Sequence, residues 1–352
     1  MVIRSVRAPP GLTIPIAHRK NPAGGGRLTN SSGDAGKRNG PSSARSAFAA
    51  GEQVAARYKI VRLIGSGGTG EVFEALDTAL GVSVALKALK PSVAGSAIQL
   101  ERFRREIQTA RKVTHANVCR IFDMGIHRGS DRDRFFLTME LLAGPSLADR
   151  IEQGQPYGAD EALPIAAQIA DGLDAAHTAG VIHRDLKPGN IMLLPPPTGR
   201  FSQRAVITDF GLALSEDQSD MRLTESDELV GTPEYMAPEQ AEPGPATPAT
   251  DIYALGLILY EMLSKRRPFE TAGTALATVL VRRREPPRPL HDVAPEAPAA
   301  WVAAIDRCLE RDPARRFASA GEVIAALGDE PPPPRSSNPG TGFFGRLTRK
   351  LR

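Results

Sequence analysis

Apolar residues recur at every second position over the first third of the foldable part of this chain, and at every third or fourth position beyond Ser146. A period of two marks a strand, whose side chains alternate between faces, and a period near 3.6 marks a helix. Strands gathered in one half and helices in the other specify an α+β fold. Strands are expected over residues 58–64, 71–76 and 82–89, resuming at Val118 and Arg134. One helix interrupts them, with Leu100, Phe103, Ile107 and Ala110 as its buried stripe. Longer helices are expected over residues 160–179, 250–263, 299–309 and 319–327. The run from Ile252 to Tyr260 is apolar nearly all round, as suits a helix enclosed by its neighbours.

The flanks differ. Residues 1–50 and the stretch opening at Pro331 are rich in Gly, Ser, Pro and Arg without apolar periodicity, which predicts disorder. They also hold the basic charge: eight Lys or Arg against one acid in residues 1–50, and five against two in residues 329–352. A chain of net charge +4 therefore has a mildly acidic middle. The expected organisation is a basic N-terminal segment over 1–50, one domain over 58–327 and a Pro-rich basic tail over 328–352. In that tail Phe343, Phe344, Leu347 and Leu351 fall roughly on one side of a short helix, so weak contact with a membrane surface or an acidic partner is one reading and solvated disorder the other. The tails also leave nucleic-acid binding open as a function of a different class. No stretch approaches the roughly 18 apolar residues of a membrane span, and Cys119 and Cys308 have neither disulfide nor zinc spacing. These features lead to the expectation of a cytoplasmic protein with ordinary buried thiols.

Gly65-Ser66-Gly67-Gly68-Thr69-Gly70-Glu71-Val72 joins two expected strands. Missing Cβ atoms let backbone amides approach phosphate oxygens, although a flexible hairpin would read the same. A Walker loop would need Lys and Ser/Thr after the last glycine, where Glu71 and Val72 stand, and a dinucleotide fold would continue into a helix. On the third strand the period of two puts Lys87 on the face of Ala85, opposite Val84 and Leu86. Glu106 flanks the buried helical stripe, where it is a candidate to turn inward and pair with Lys87; by itself it reads equally as a surface carboxylate in a run rich in Arg and Glu.

The most informative stretch is His183-Arg184-Asp185-Leu186-Lys187-Pro188-Gly189-Asn190, followed by Asp209-Phe210-Gly211. Asp185 suits the orientation of an attacking hydroxyl and the acceptance of its proton, and Lys187 can reach a transferred phosphoryl group. Asn190 and Asp209 offer the hard oxygen ligands that Mg²⁺ prefers.

With the glycine loop, Val84-Ala85-Leu86-Lys87, Glu106, these two motifs and Ala237-Pro238-Glu239 in that order, the chain resembles the eukaryotic-like protein kinase family over about residues 58–327. The resemblance implies a bilobal domain: a β-rich N-lobe over 58–139, a hinge over 140–145 and a helical C-lobe over 146–327, with ATP and Mg²⁺ in the cleft. It implies nucleotide contacts from Ile64, Gly65, Ser66, Gly67, Gly68, Thr69, Gly70, Val72, Ala85 and Lys87, a gatekeeper at Met139, and adenine held by the backbone of Glu140 and Leu142. It implies Asp185, Lys187, Lys87 and Glu106 as catalytic residues and Asn190 and Asp209 as metal ligands. Lys187-Pro188, the run from Gly231 to Tyr235, Glu239-Gln240 and Asp312-Pro313 before Arg316 resemble the bacterial serine/threonine branch (Hanks-type), whose members phosphorylate Ser and Thr of protein substrates. By the same likeness Asp251 braces the catalytic loop or caps its helix, Glu239 pairs with Arg316, and Thr224 and Ser226 are activating phosphosites. Phosphate there would answer the isolated charge of Arg184, with self-association allowing one copy to modify another. Departures are Ala116 in place of a frequent proline and an enlarged loop over residues 195–204. A pseudokinase scaffold would lack a catalytic residue, and none of the five key positions is missing.

Overall fold

The computed structural model describes residues 46–67, 70–90, 97–129, 133–195, 203–210, 233–241, 244–269 and 275–328. Six strands form one antiparallel sheet: β1 (Gln53–Val54), β2 (Tyr58–Gly67), β3 (Gly70–Asp77), β4 (Val82–Leu89), β5 (Ile121–Arg128) and β6 (Asp133–Met139), in the order β1-β2-β3-β4-β6-β5. The strand expected from Val118 starts at Ile121 instead. Val118 makes a single bridge to Ile207, because its residue belongs to the seam between the halves.

β4 runs through the middle of this sheet and is buried on both faces from Val84 onward. Its alternation divides the core. Ala85 and Leu89 point inward and pack with Phe103 and Ile107 of α1 (Ala97–Ala110), together with Leu137 and Met139. Val84, Leu86 and Ala88 point outward, against Phe73, Phe136 and Phe48. Burial of each large apolar side chain is worth about 1.5–3 kcal/mol relative to exposure, so both faces must be covered. α1 covers the inner one. Residues 46–50, expected to belong to the disordered N-terminal segment, help to cover the outer one: Phe48 is 3% exposed there.

The second half is helical: α2 (Leu147–Gln153), α3 (Ala159–Thr178), α4 (Pro248–Ser264), α5 (Ala275–Arg284), α6 (Ala299–Cys308) and α7 (Ala320–Gly328). α2 begins with a reciprocal cap between Ser146 and Asp149. α4 is enclosed on nearly all sides, as its composition requires, and Gly256 lets α6 approach so closely that a Cβ there would lie 2.5 Å from that of Cys308. A small hairpin, β7 (Ile191–Leu194) and β8 (Arg204–Ile207), joins the loop over residues 183–190 to the segment ending at Phe210. Arg204, counted in the enlarged loop from sequence, is the first residue of β8. Among the described residues no helix is long and apolar enough to cross a membrane.

Candidate active site

The β7–β8 hairpin explains why Asn190 and Asp209, nineteen residues apart, lie at one place. Ile191 pairs with Ile207, so Asn190 and Thr208 flank the open end, and Thr208 N–H and Oγ1 both donate to the Asn190 carbonyl, at 2.8 and 3.2 Å. Asp209 follows immediately. Its backbone is left-handed, φ 64°, a conformation that short polar residues tolerate, and its Oδ2 accepts from Lys87 Nζ at 2.8 Å. Lys87 is 2% exposed. An ammonium so enclosed needs a counter-charge, which Asp209 supplies. The strand alternation predicted from sequence thus delivers Lys87 to the inner face, where it meets Asp209.

Asp185 is tied to the same end of the hairpin through Asn190. Lys187 Nζ donates to its Oδ2 at 2.7 Å, and Asn190 Nδ2 donates to its carbonyl at 2.8 Å. With the amide nitrogen so engaged, the Asn190 side-chain oxygen remains as its acceptor, and the Asp209 carboxylate stands beyond the adjoining Thr208. Two oxygen donors on a short hairpin fit Mg²⁺, which takes one or two protein ligands and completes its shell with water and phosphate oxygens. No group of three or more His, Cys, Asp or Glu side chains suited to a metal occurs among the described residues.

The loop carrying Asp185 is braced from below by α4. Asp251 is 1% exposed and is not the N-cap of that helix, a position held by Thr247. Its Oδ2 accepts from the His183 N–H at 2.8 Å and lies 2.7 Å from His177 Nε2, while its Oδ1 accepts from the Arg184 N–H at 3.0 Å. Arg184 sits at φ 68°, a conformation that strains a long side chain by about 1–3 kcal/mol, and these bonds hold it there. Gln240 Nε2 adds a bond to the Arg184 carbonyl at 2.9 Å. His183 is fully buried, with Nε2 2.9 Å from the Thr208 carbonyl and its ring against Phe210, and so links the two motifs. The Glu239–Arg316 pair expected in the C-lobe is present at 2.7 Å.

The ion pairing differs from expectation at one point. Glu106 pairs with Arg184 at 3.1 Å, while Lys87 pairs with Asp209 rather than with Glu106 as the sequence suggested. The helical stripe determines which face of α1 is buried but not how far along the sheet the helix sits, and that position selects the partner.

An apolar cluster surrounds Ala85, two residues before Lys87 on the same strand face. Ala85 is paired in register with Met139, and Val72, Leu142 and Met192 pack into the same cluster. Met192 was not singled out from sequence; its place in the short β7 strand, two residues after Asn190, is the only signal for it. Ile64, in β2, is 38% exposed. Glu140 donates its N–H to the Arg120 carbonyl at 2.9 Å, and its own carbonyl accepts from Cys119 Sγ at 3.8 Å. Gly65, Ser66 and Gly67 end β2 and Gly70 begins β3, while Gly68 and Thr69 lie outside the described residues, as do Gly211, Thr224 and Ser226. A Cβ on Gly70, at φ 155°, would meet the Ala88 carbonyl at 2.0 Å, so only glycine allows this close crossing.

Arg282, also missed from sequence, is 2% exposed and donates to the carbonyls of Pro233, at 2.6 Å, and Met236. Burial lowers its pKa, and the carbonyls it holds belong to the segment leading to Ala237-Pro238-Glu239. Both cysteines are buried and free, and burial pushes the Cys308 thiol up to about 12.

A family model described as protein kinase domain matches residues 58–326. The serine/threonine-protein kinase PknA of Mycobacterium tuberculosis is 37% identical over 295 residues, covering 82% of this chain and 66% of PknA. The probable serine/threonine-protein kinase PknB of Corynebacterium glutamicum is 34% identical over 279 residues, 78% of this chain and 42% of that protein. The chain thus spans from about two fifths to just under two thirds of the length of these relatives. Among solved structures, the PknI kinase domain of Mycobacterium tuberculosis superposes with a TM-score of 0.63 at 25% identity, covering 80% of this chain and 98% of that domain.

Proposed function

The chain belongs to the protein kinase family, on its bacterial serine/threonine branch, and on that premise we propose that it transfers the γ-phosphoryl group of ATP to serine or threonine hydroxyls of protein substrates. The observation that carries this reading is that Asp185, Lys187 and Asn190 are joined by contacts of 2.7 and 2.8 Å, and that Thr208, bonded to Asn190 at 2.8 Å, leads directly into Asp209, which holds Lys87 at 2.8 Å. In the reaction, Asp185 orients the acceptor hydroxyl and takes its proton, while Lys187, already held against Asp185, neutralises charge near the transferred group. Lys87 steadies the nucleotide phosphates, and Asn190 and Asp209 hold the metal. Bound Mg²⁺ would offset the negative charge of the phosphate oxygens. Val72, Ala85, Leu142 and Met192 sandwich the adenine, with Met139 at its back and the backbone of Glu140 and Leu142 at its polar edge. The buried free thiols suit a reducing cytoplasm.

The enzyme activates itself by phosphorylating Thr224 or Ser226, one copy acting on another. The pairing of Arg184 with Glu106 supports this reading. A phosphate dianion is a stronger partner for a guanidinium than a carboxylate, so its arrival would draw Arg184 away and release Glu106 toward Lys87. Wild-type protein made in a kinase-free host is expected to carry phosphate on residues 211–232 by mass spectrometry, and Asp185→Asn protein to carry none. Phosphate on the inactive variant made alone would refute self-modification.

A further inference from the structure

Glu71 stands immediately after the last glycine of the loop and alternates with Val72, so that Val72 packs against the inner apolar cluster and Glu71 faces outward with Phe73. On that outer face it meets residues 46–54. Glu71 Oε2 accepts the Ala47 N–H at 2.6 Å and the Ser46 hydroxyl at 3.0 Å. One residue along, Phe48 is buried edge-on against Phe73 with ring centroids 5.7 Å apart, against His127 at 5.5 Å, and under the Arg134 guanidinium. The segment is then tied to β2: Gly51 N–H donates to the Ile60 carbonyl, Ile60 N–H to the Glu52 carbonyl, and Gln53 and Val54 pair with Lys59 and Tyr58. Residues 46–54 therefore form a strap anchored at both ends of the glycine hairpin: on β2 where its chain enters the sheet, and at Glu71 where its second strand leaves the turn.

We propose that this strap is a positioning device for the phosphate-binding hairpin, with Glu71 as the positioning residue that transmits it. A cover for apolar surface needs Phe48 alone. The two donors converging on one carboxylate oxygen, one residue beyond Gly70, serve a second purpose, since they hold the first residues of β3 as the chain leaves the turn. Gly70 is itself paired with Leu89 of β4, so close that no Cβ would fit against the Ala88 carbonyl, and the hairpin is thus held on both sides. Restraining the hairpin before the nucleotide arrives removes part of the ordering entropy that binding would otherwise have to overcome. The inference rests on the reading of this hairpin as the ATP phosphate site.

The test uses the full chain with Glu71→Ala, Glu71→Gln and Phe48→Ala. Glutamine keeps an acceptor oxygen and alanine does not. Glu71→Ala is expected to raise KM for ATP about 3- to 10-fold, only part of the hydrogen-bond energy lost at Glu71 being passed to the nucleotide site, with kcat changed far less. Glu71→Gln should restore most of the loss, and adding Phe48→Ala to Glu71→Ala should raise KM less than the two single effects combined. Amide hydrogen exchange over residues 65–67 and 70–72 reads the same device without catalysis and should be faster in Glu71→Ala. Unchanged KM and unchanged exchange in Glu71→Ala overturn the proposal, as does a fall in kcat and thermal stability that glutamine does not rescue. A wild type that consumes no ATP would refute the kinase reading, and hydrogen exchange alone would then decide whether the strap restrains the hairpin.

Discussion

Asp185→Asn protein is expected to transfer phosphate about 10²- to 10⁴-fold more slowly than wild type, the range that a general base contributes, while unfolding at nearly the same temperature. The carboxylate is partly exposed and its surroundings explain both halves of the result. Lys187 and Asn190 hold Oδ2 from two sides, so the side chain is fixed in orientation before substrate arrives. Asparagine fills the same volume and leaves the loop, which Asp251 braces from below, in place. It loses the proton-accepting oxygen and sets an amide against the Lys187 ammonium. Single-turnover measurements of phosphate transfer to a mixed protein substrate, beside calorimetry of both proteins, check the two halves separately.

Asp251→Ala should act the other way, on folding first and on rate as a consequence. Its carboxylate accepts from the His183 and Arg184 amides and contacts His177, all in an environment with almost no water. Removing it strands buried donors and releases Arg184 from a left-handed conformation it adopts only under restraint. Stranded buried donors each lose about 1–3 kcal/mol, and with partial relaxation the total expected is about 3–5 kcal/mol, a fall in melting temperature on the order of 10 °C. Asparagine at the same position keeps one acceptor and should fall between. A melting temperature within error of wild type for Asp251→Ala would show that the loop stands without this brace.

Much of this architecture was legible in the sequence because it depends on local pattern. The alternation of Val84, Ala85, Leu86 and Lys87 predicted which side chains face the cleft, and the all-round apolar run from Ile252 to Tyr260 predicted the enclosed helix. The residues of the polar cluster were legible because phosphoryl transfer narrows the side chains that serve it. What stayed hidden depends on distances between elements. Glu106 lies on the predicted face of α1, yet its partner is Arg184, because helix placement along the sheet is set by packing of Phe103 and Ile107 rather than by the spacing of charges. Asp251 reaches residues 68 and 74 positions away. Phe48 stands alone among Ala, Ser and Gly, with no period to announce that it is buried, so the strap could not be separated from the basic segment before it. Met192 and Arg282 likewise carry ordinary residue types whose roles come only from what surrounds them.

The claim on which the rest depends is that Lys87, Asn190 and Asp209 hold one Mg²⁺-bound nucleotide. Binding of a fluorescent ATP analogue, titrated with Mg²⁺ and again with EDTA, tests it most directly. Wild type should bind more tightly with Mg²⁺, Asp209→Asn should lose most of that difference, and Lys87→Met should weaken binding in both conditions. A wild type that binds no nucleotide, or an Asp209→Asn protein with the full Mg²⁺ dependence, would contradict the account.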